Sequence, residues 1–212
     1  MRKIICLGWL VMFLPAMICA QEKVDAPVWN VGDKWFFTLG NIEAASVDPN
    51  SYVMNVSDDA CKFLNQGFKA IIFEKSTLNR VGVLIGGKRK EYTGGLRRVF
   101  NFPLNVGKQW KDQYSGKRLV GLHRDLSESF TETYTVLGWE DLQVRAGKFR
   151  AIKLEYKHVT TASTSPFLPL PLERKSIFWY SPAVKYLIKC QYDKSFEDEF
   201  KNWELTSFKG KK

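Results

Sequence analysis

Histidine is nearly missing from this chain: only His123 and His158 occur in 212 residues. Neither lies four residues from another histidine or beside a cysteine pair, so the spacing that assembles a zinc centre is not there. Both are expected at the solvent surface. Cysteine is sparse as well, with Cys6, Cys19, Cys61 and Cys190 making up the set. No serine occupies a Gly-x-Ser-x-Gly elbow. The paired glycines Gly86-Gly87 and Gly94-Gly95 lack the Lys-Ser/Thr and the following helix of a phosphate loop, and read as turns. The acidic run Glu197, Asp198 and Glu199 would serve glycoside hydrolysis only with a second acid facing it at a set distance; it reads as a solvated turn. A thiol nucleophile built from Cys61 or Cys190 and a histidine yields to disulfide formation or burial as the simpler use of those thiols. No catalytic residue, metal or cofactor is assigned, and the chain reads as non-catalytic.

Long apolar runs are confined to the first twenty residues. Arg2 and Lys3 precede an apolar stretch from Ile4 to Ile18, broken by Gly8 and Pro15, and Cys19-Ala20 lead into polar Gln21. That is the layout of a secretory signal peptide cut after Ala20. The stretch falls short of the ~20 apolar residues that cross a bilayer, and the bulky Met17-Ile18 argue against a lipoprotein anchored through Cys19. With no later spanning run, the mature protein is expected to be soluble and periplasmic or secreted. Losing Arg2 and Lys3 takes the formal charge from +10 to +8. Such a balance favours anionic partners such as lipid or acidic glycan, but the lysines are interspersed with acids as on an ordinary solvated surface. Only Lys209, Lys211 and Lys212 form a local basic run. Export and the lack of a recognition motif exclude nucleic acid as a partner.

The mature chain keeps Cys61 and Cys190, and an oxidising compartment permits a bridge between them. Closing a loop of ~130 residues is worth about 4–5 kcal/mol in the chain-entropy picture; two separate buried thiols are the alternative.

Helical periodicity is scarce, and alternation dominates. Ile152, Leu154 and Tyr156 oppose Lys153, Glu155 and Lys157, and Ile188, Cys190 and Tyr192 oppose Lys189, Gln191 and Asp193, as half-buried strands require. Cys190 is therefore expected to point inward. Phe130, Tyr134 and Val136 oppose Thr131, Thr133 and Thr135, with Glu132 the one discordant residue on the apolar side. Further strands are expected over 34–39, 52–57, 69–75, 81–85, 97–102, 109–114, 142–145, 175–180 and 201–208, rich in β-branched and aromatic residues. Short turn signals between them imply an all-β antiparallel meander forming a curved sheet, sandwich or open barrel. The two modest helix candidates are 58–66, capped by Asp58 and Asp59, and 119–127.

One motif occurs twice. Residues 30–35 read NVGDKW and 105–110 read NVGKQW; downstream stand FKAI at 68–71 and FRAI at 149–152, at offsets of 75 and 81 residues. Self-similarity of this kind suggests a first β-rich unit over 21–104 and a second over 105–212, sharing one body after the leader 1–20. Trp35 and Trp110 are then expected as equivalent core anchors. Trp179 and Tyr180 are the better ligand candidates: neighbours on a strand face opposite ways, so one should face outward or into a cavity. The connector 160–172 carries Pro166, Pro169 and Pro171 among Phe167, Leu168, Leu170 and Leu172, which forbids a central strand and suits an apolar flap or a loop closing the end of the core.

The second half, with FPLNVGKQW at 102–110, VRAGKFRAIKLEY at 144–156, FWYSPAVKYLIK at 178–189 and WELTSF at 203–208, resembles a family of exported bacterial proteins of unknown function. The resemblance spans the last 110 or so residues. It implies a β-rich envelope domain similar to the curved sheets of periplasmic lipoprotein carriers, and no activity. Ala183-Val184-Lys185 stands where the family pattern has a glycine-containing turn. The role expected from these signals is binding an apolar or envelope-derived ligand, lipid or glycan, or supporting an envelope protein assembly, with Trp179, Tyr180, Phe167 and Leu168 as the candidate contacts. A filled-core interaction module and a hydrolase with an unrecognised site are the alternatives.

Overall fold

The computed structural model describes residues 22–30, 32–39, 53–56, 60–65, 69–85, 88–91, 93–120, 124–163, 171–193 and 202–210. Among these residues fourteen strands follow in order: β1 Lys23–Val24, β2 Lys34–Leu39, β3 Val53–Val56, β4 Ala60–Asn65, β5 Lys69–Glu74, β6 Arg80–Ile85, β7 Lys88–Glu91, β8 Leu104–Asn105, β9 Gln109–Val120, β10 Arg124–Val144, β11 Gly147–Ser163, β12 Leu172–Ser181, β13 Tyr186–Tyr192 and β14 Trp203–Lys209. Twelve form one curved, antiparallel sheet that does not close into a barrel, in the order β7-β6-β5-β4-β3-β2-β14-β13-β12-β11-β10-β9. Strands β1 and β8 pair separately. The expected all-β antiparallel fold is what forms. Among the described residues the one helical piece is a single 3-10 turn, Pro182–Val184, and no helix is long and apolar enough to cross a membrane.

Both helix candidates fold otherwise. Residues 60–65 are β4, paired with β3 and β5, and 119–120 and 124–127 lie on the ends of β9 and β10, which pair as far as Val120 with Arg124; residues 58, 59, 66 and 121–123 lie outside the described residues. Two acids are a weak local signal, and strand neighbours on both sides outweigh it.

Turns stand at Gly32 and at Gly107, each closed by a backbone hydrogen bond. Asp33 N–H donates to Asn30 O at 2.9 Å and Lys108 N–H to Asn105 O at 3.0 Å. Gly32 and Gly107 take φ +95 and +84, a backbone conformation that residues with a side chain rarely adopt. Each turn launches a strand whose tryptophan is buried: Trp35 at 0 % and Trp110 at 5 % exposure. An indole buries on the order of 150–250 Å², worth several kcal/mol at ~25 cal/mol per Å². The second half of the repeat diverges, since 69–71 lie on the fourth strand of the first meander and 149–152 on the third strand of the second.

The two meanders meet where the WYSP segment reaches the first NVG turn. Trp29 Nε1 donates to Lys185 O at 2.8 Å and Trp35 Nε1 to Val184 O at 2.6 Å. Lys185 adopts φ +61, the conformation a glycine would favour, and its Nζ lies 3.6 Å from the buried Asp33 carboxylate.

Residues 97–102, expected as a strand, are instead part of an irregular strap over 93–103 that crosses the face of the sheet carrying Glu132 and Tyr180. Their valine and aromatics are used for packing: Phe100 and Phe102 set their rings 5.4 and 5.6 Å from that of Tyr180. The strap first follows the free edge of β9, where Thr93 and Ser115 exchange backbone hydrogen bonds. A Cβ on Gly95 would stand 2.0 Å from Gln113 O, so only glycine permits that approach.

Candidate functional site

Opposite pairs across the sheet fix what faces inward. Asp112 on β9 stands opposite Glu132 on β10, which stands opposite His158 on β11. Two like charges directly opposed are unfavourable, and both are buried, Asp112 at 4 % and Glu132 at 0 % exposure. The strap resolves the conflict. Arg98 caps Asp112 through its backbone N–H at 2.6 Å, Nε at 2.8 Å and Nη2 at 2.6 Å. Arg97 forks onto Glu132, with Nε 3.0 Å from Oε2 and Nη2 donating to Oε1. Trp110 Nε1 holds the strap down by donating to Arg98 O at 2.8 Å.

Three phenols complete the shell. Tyr114 and Tyr156 donate to Glu132 Oε1 at 2.7 and 2.6 Å, and Tyr134 donates to Oε2 at 3.3 Å. The lone pairs of the carboxylate are thus saturated. Tyr156 oxygen also lies 3.1 Å from His158 Nδ1. Its single proton goes to Glu132, so hydrogen-bond logic assigns the Nδ1 proton to His158, which shares it between the Tyr156 oxygen and Glu132 Oε1, 3.5 Å away. Burial alone would raise the Glu132 pKa, but the Arg97 charge and the hydrogen bonds from His158, Arg97 and Tyr156 overcome it and hold the carboxyl well below its usual range. Burial first, then the Glu132 charge, pushes the Tyr134 and Tyr156 hydroxyls well above theirs. A general base works best near the operating pH, and Glu132 is kept ionised far from it. Among the described residues no three His, Cys, Asp or Glu groups converge as metal ligands.

His158, expected in solvent, has a side chain only 16 % exposed, packed 5.0 Å from the Phe130 ring. Its partner in the sheet is one that spacing along the chain does not reveal. His123 lies outside the described residues, as do Phe167, Leu168 and the Glu197–Asp198–Glu199 run.

No protein-family model matches the chain, and no curated protein does. Among solved structures it is similar to the hypothetical lipoprotein YmcC from Escherichia coli (K12), with 11 % identity, 89 % of this chain and 90 % of that one covered, and a TM-score of 0.47. It is also similar to a protein described as exported, with a YmcC-like fold, from Bacteroides fragilis NCTC 9343, at 10 % identity, 88 % and 99 % coverage and a TM-score of 0.37.

Trp179 and Tyr180 do face opposite ways, but neither is open: exposures are 4 % and 0 %. Trp179, on the outer face, is roofed by two cations, with Lys153 and Lys189 Nζ 5.3 and 5.4 Å from its ring. Its Nε1 donates to Glu140 at 3.2 Å. Lysine stems readily cover apolar surface in this way. Tyr180 sits inside under Phe100 and Phe102, its hydroxyl without a hydrogen-bond partner. Cys190 does point inward; this half of the expected pair with Cys61 is a free, buried thiol whose acidity burial suppresses. Cys61 sits on β4 with its side chain outside the described residues, and β3, β2 and β14 separate β4 from β13 in the sheet.

In the sequence Glu132 registers only as a residue out of pattern. A carboxylate on the core side of a strand demands a buried partner, and the adjacent arginines Arg97 and Arg98 are the signal that could have found it.

Proposed function

We propose that this protein is a non-catalytic, extracytoplasmic β scaffold that acts through its outer surface on an envelope partner, with an interior filled by its own chain. The observation that carries this reading is the strap: residues 93–103 place Arg97, Arg98, Phe100 and Phe102 where a carried lipid or glycan would lie. The leader-like first twenty residues support export. The covered state of Trp179 and the saturated shell of Glu132 favour a structural over a catalytic use of both. Native mass spectrometry of the mature protein purified gently from the envelope is expected to give the bare polypeptide mass. A retained lipid or glycan adduct would replace this reading with that of a carrier, for which the unpaired Tyr180 hydroxyl and Ser176 Oγ are the interior groups to examine.

A further inference from the structure

We infer that the floor formed by Glu132 and its neighbours on the inward face of the sheet is a receptor site for a guanidinium cation, and that the chain fills it with its own Arg97. The site is built from the sheet. Glu132 supplies a fully buried carboxylate, and Tyr114, Tyr134 and Tyr156 aim their hydroxyls at it. The cation comes from outside the sheet, on the strap. Arg97 meets both carboxylate oxygens, while its Cζ stands 4.8 Å from the centre of the Tyr114 ring. A two-oxygen acceptor beside an aromatic face suits a planar guanidinium, which forks onto the one and stacks on the other; an ammonium does neither as well.

The division of charge matters more than the number of contacts. Both acids, Asp112 and Glu132, belong to strands, and both arginines belong to the strap. Without the strap the two facing buried carboxylates would lose both of their arginines and keep only His158 Nδ1, 3.5 Å from Glu132 Oε1, and the charge of Arg80 on β6, which acts on Tyr114 and Tyr134. A segment in the strap's place matches both acids best if it brings a cation there, and the matching ligand is an arginine side chain on an extended segment. An anionic headgroup is the wrong sign for this floor, whatever the net charge of the whole chain. This inference rests on the floor geometry and not on the scaffold role proposed above.

Chemical rescue tests it. Arg97→Ala leaves a space that methylguanidinium matches, N-methylurea matches in shape without charge, and methylammonium matches in charge without the fork. Thermal unfolding of the variant is measured in millimolar amounts of each. The expected result is a rise in Tm of roughly 2–4 °C with methylguanidinium alone, absent in the wild-type protein. Equal responses to all three compounds, or none, overturn the inference. Should Arg97→Ala not fold alone, its refolding yield in the three solutions is the readout: a yield raised by methylguanidinium alone supports the site, and equal yields overturn it. The double variant Arg97→Ala/Glu132→Gln is expected to lose the selectivity; keeping it would show that Glu132 is not the anchor and would overturn the site as drawn.

Discussion

Glu132 interrupts the alternation of β10, and that interruption is the most informative residue-level feature of the chain. Its carboxylate is ionised because the gain from Arg97 and the surrounding donors exceeds the cost of burial. Removing one partner of such a buried pair costs about 3–5 kcal/mol, largely because the other charge is left without compensation. Glu132→Gln is therefore expected to lose stability of that order at pH 7 in urea titrations. The pH dependence has a definite sign. A carboxyl whose pKa is lower folded than unfolded contributes fully above its unfolded value, about 4.5, and loses the contribution as pH falls through the folded value. The gap between wild type and Glu132→Gln should hold steady from pH 7 to about pH 5 and narrow below that. A gap that stays constant down to pH 3 would show that the carboxylate charge is not what the shell stabilises. The position of Glu132 is legible in the sequence as a break in period two. Its partners are not, because Arg97 comes from a strap 35 residues away and the tyrosines from strands whose register only the folded sheet defines.

At the scale of elements, the strap shows where composition misleads. Residues 97–102 have strand-like content, yet they leave the sheet because their side chains are needed above it: two arginines for two buried acids and two phenylalanines for Tyr180. The charged run of β7, Lys-Arg-Lys-Glu, carries no alternation of its own and is the opposite edge of the sheet. Charges there discourage pairing with a foreign strand, while the β9 edge is protected by the strap itself through Thr93 and Ser115. The strap's approach depends on Gly95. A methyl group there meets a backbone oxygen at 2.0 Å, whereas one on Gly138, at the irregularity in β10, meets nothing within 4 Å. Gly95→Ala is thus expected to cost about 1–3 kcal/mol or more as the strap is forced outward, and Gly138→Ala to stay within about 0.5 kcal/mol of wild type. Comparable midpoints for the two variants in denaturant titrations would mean that the strap does not need its close contact with β9.

At the scale of the molecule, the repeat predicts two related units and the sheet joins both meanders without a break. The NVG turns are legible because glycine at positive φ and a following tryptophan leave a local mark. The way the units join is not, since it depends on β14, the last strand of the chain, returning beside β2, the first of the long sheet. Leu205, fully buried on β14, pairs with Phe37 on β2, and its carbonyl accepts from Ala146 N–H at 3.0 Å. Trp29 and Trp35 dock on the 182–185 turn of the other half. With the seam made of core residues, neither meander has a complete hydrophobic face of its own, and the two should unfold together. Calorimetry is expected to show one transition with equal calorimetric and van't Hoff enthalpies, which larger chains often fail to do. Leu205→Ala, costing about 2–5 kcal/mol, should lower that single transition as a whole. A scan that splits into two peaks, with only one of them moved by Leu205→Ala, would mean that the halves are separately stable and merely abut at β2 and β14.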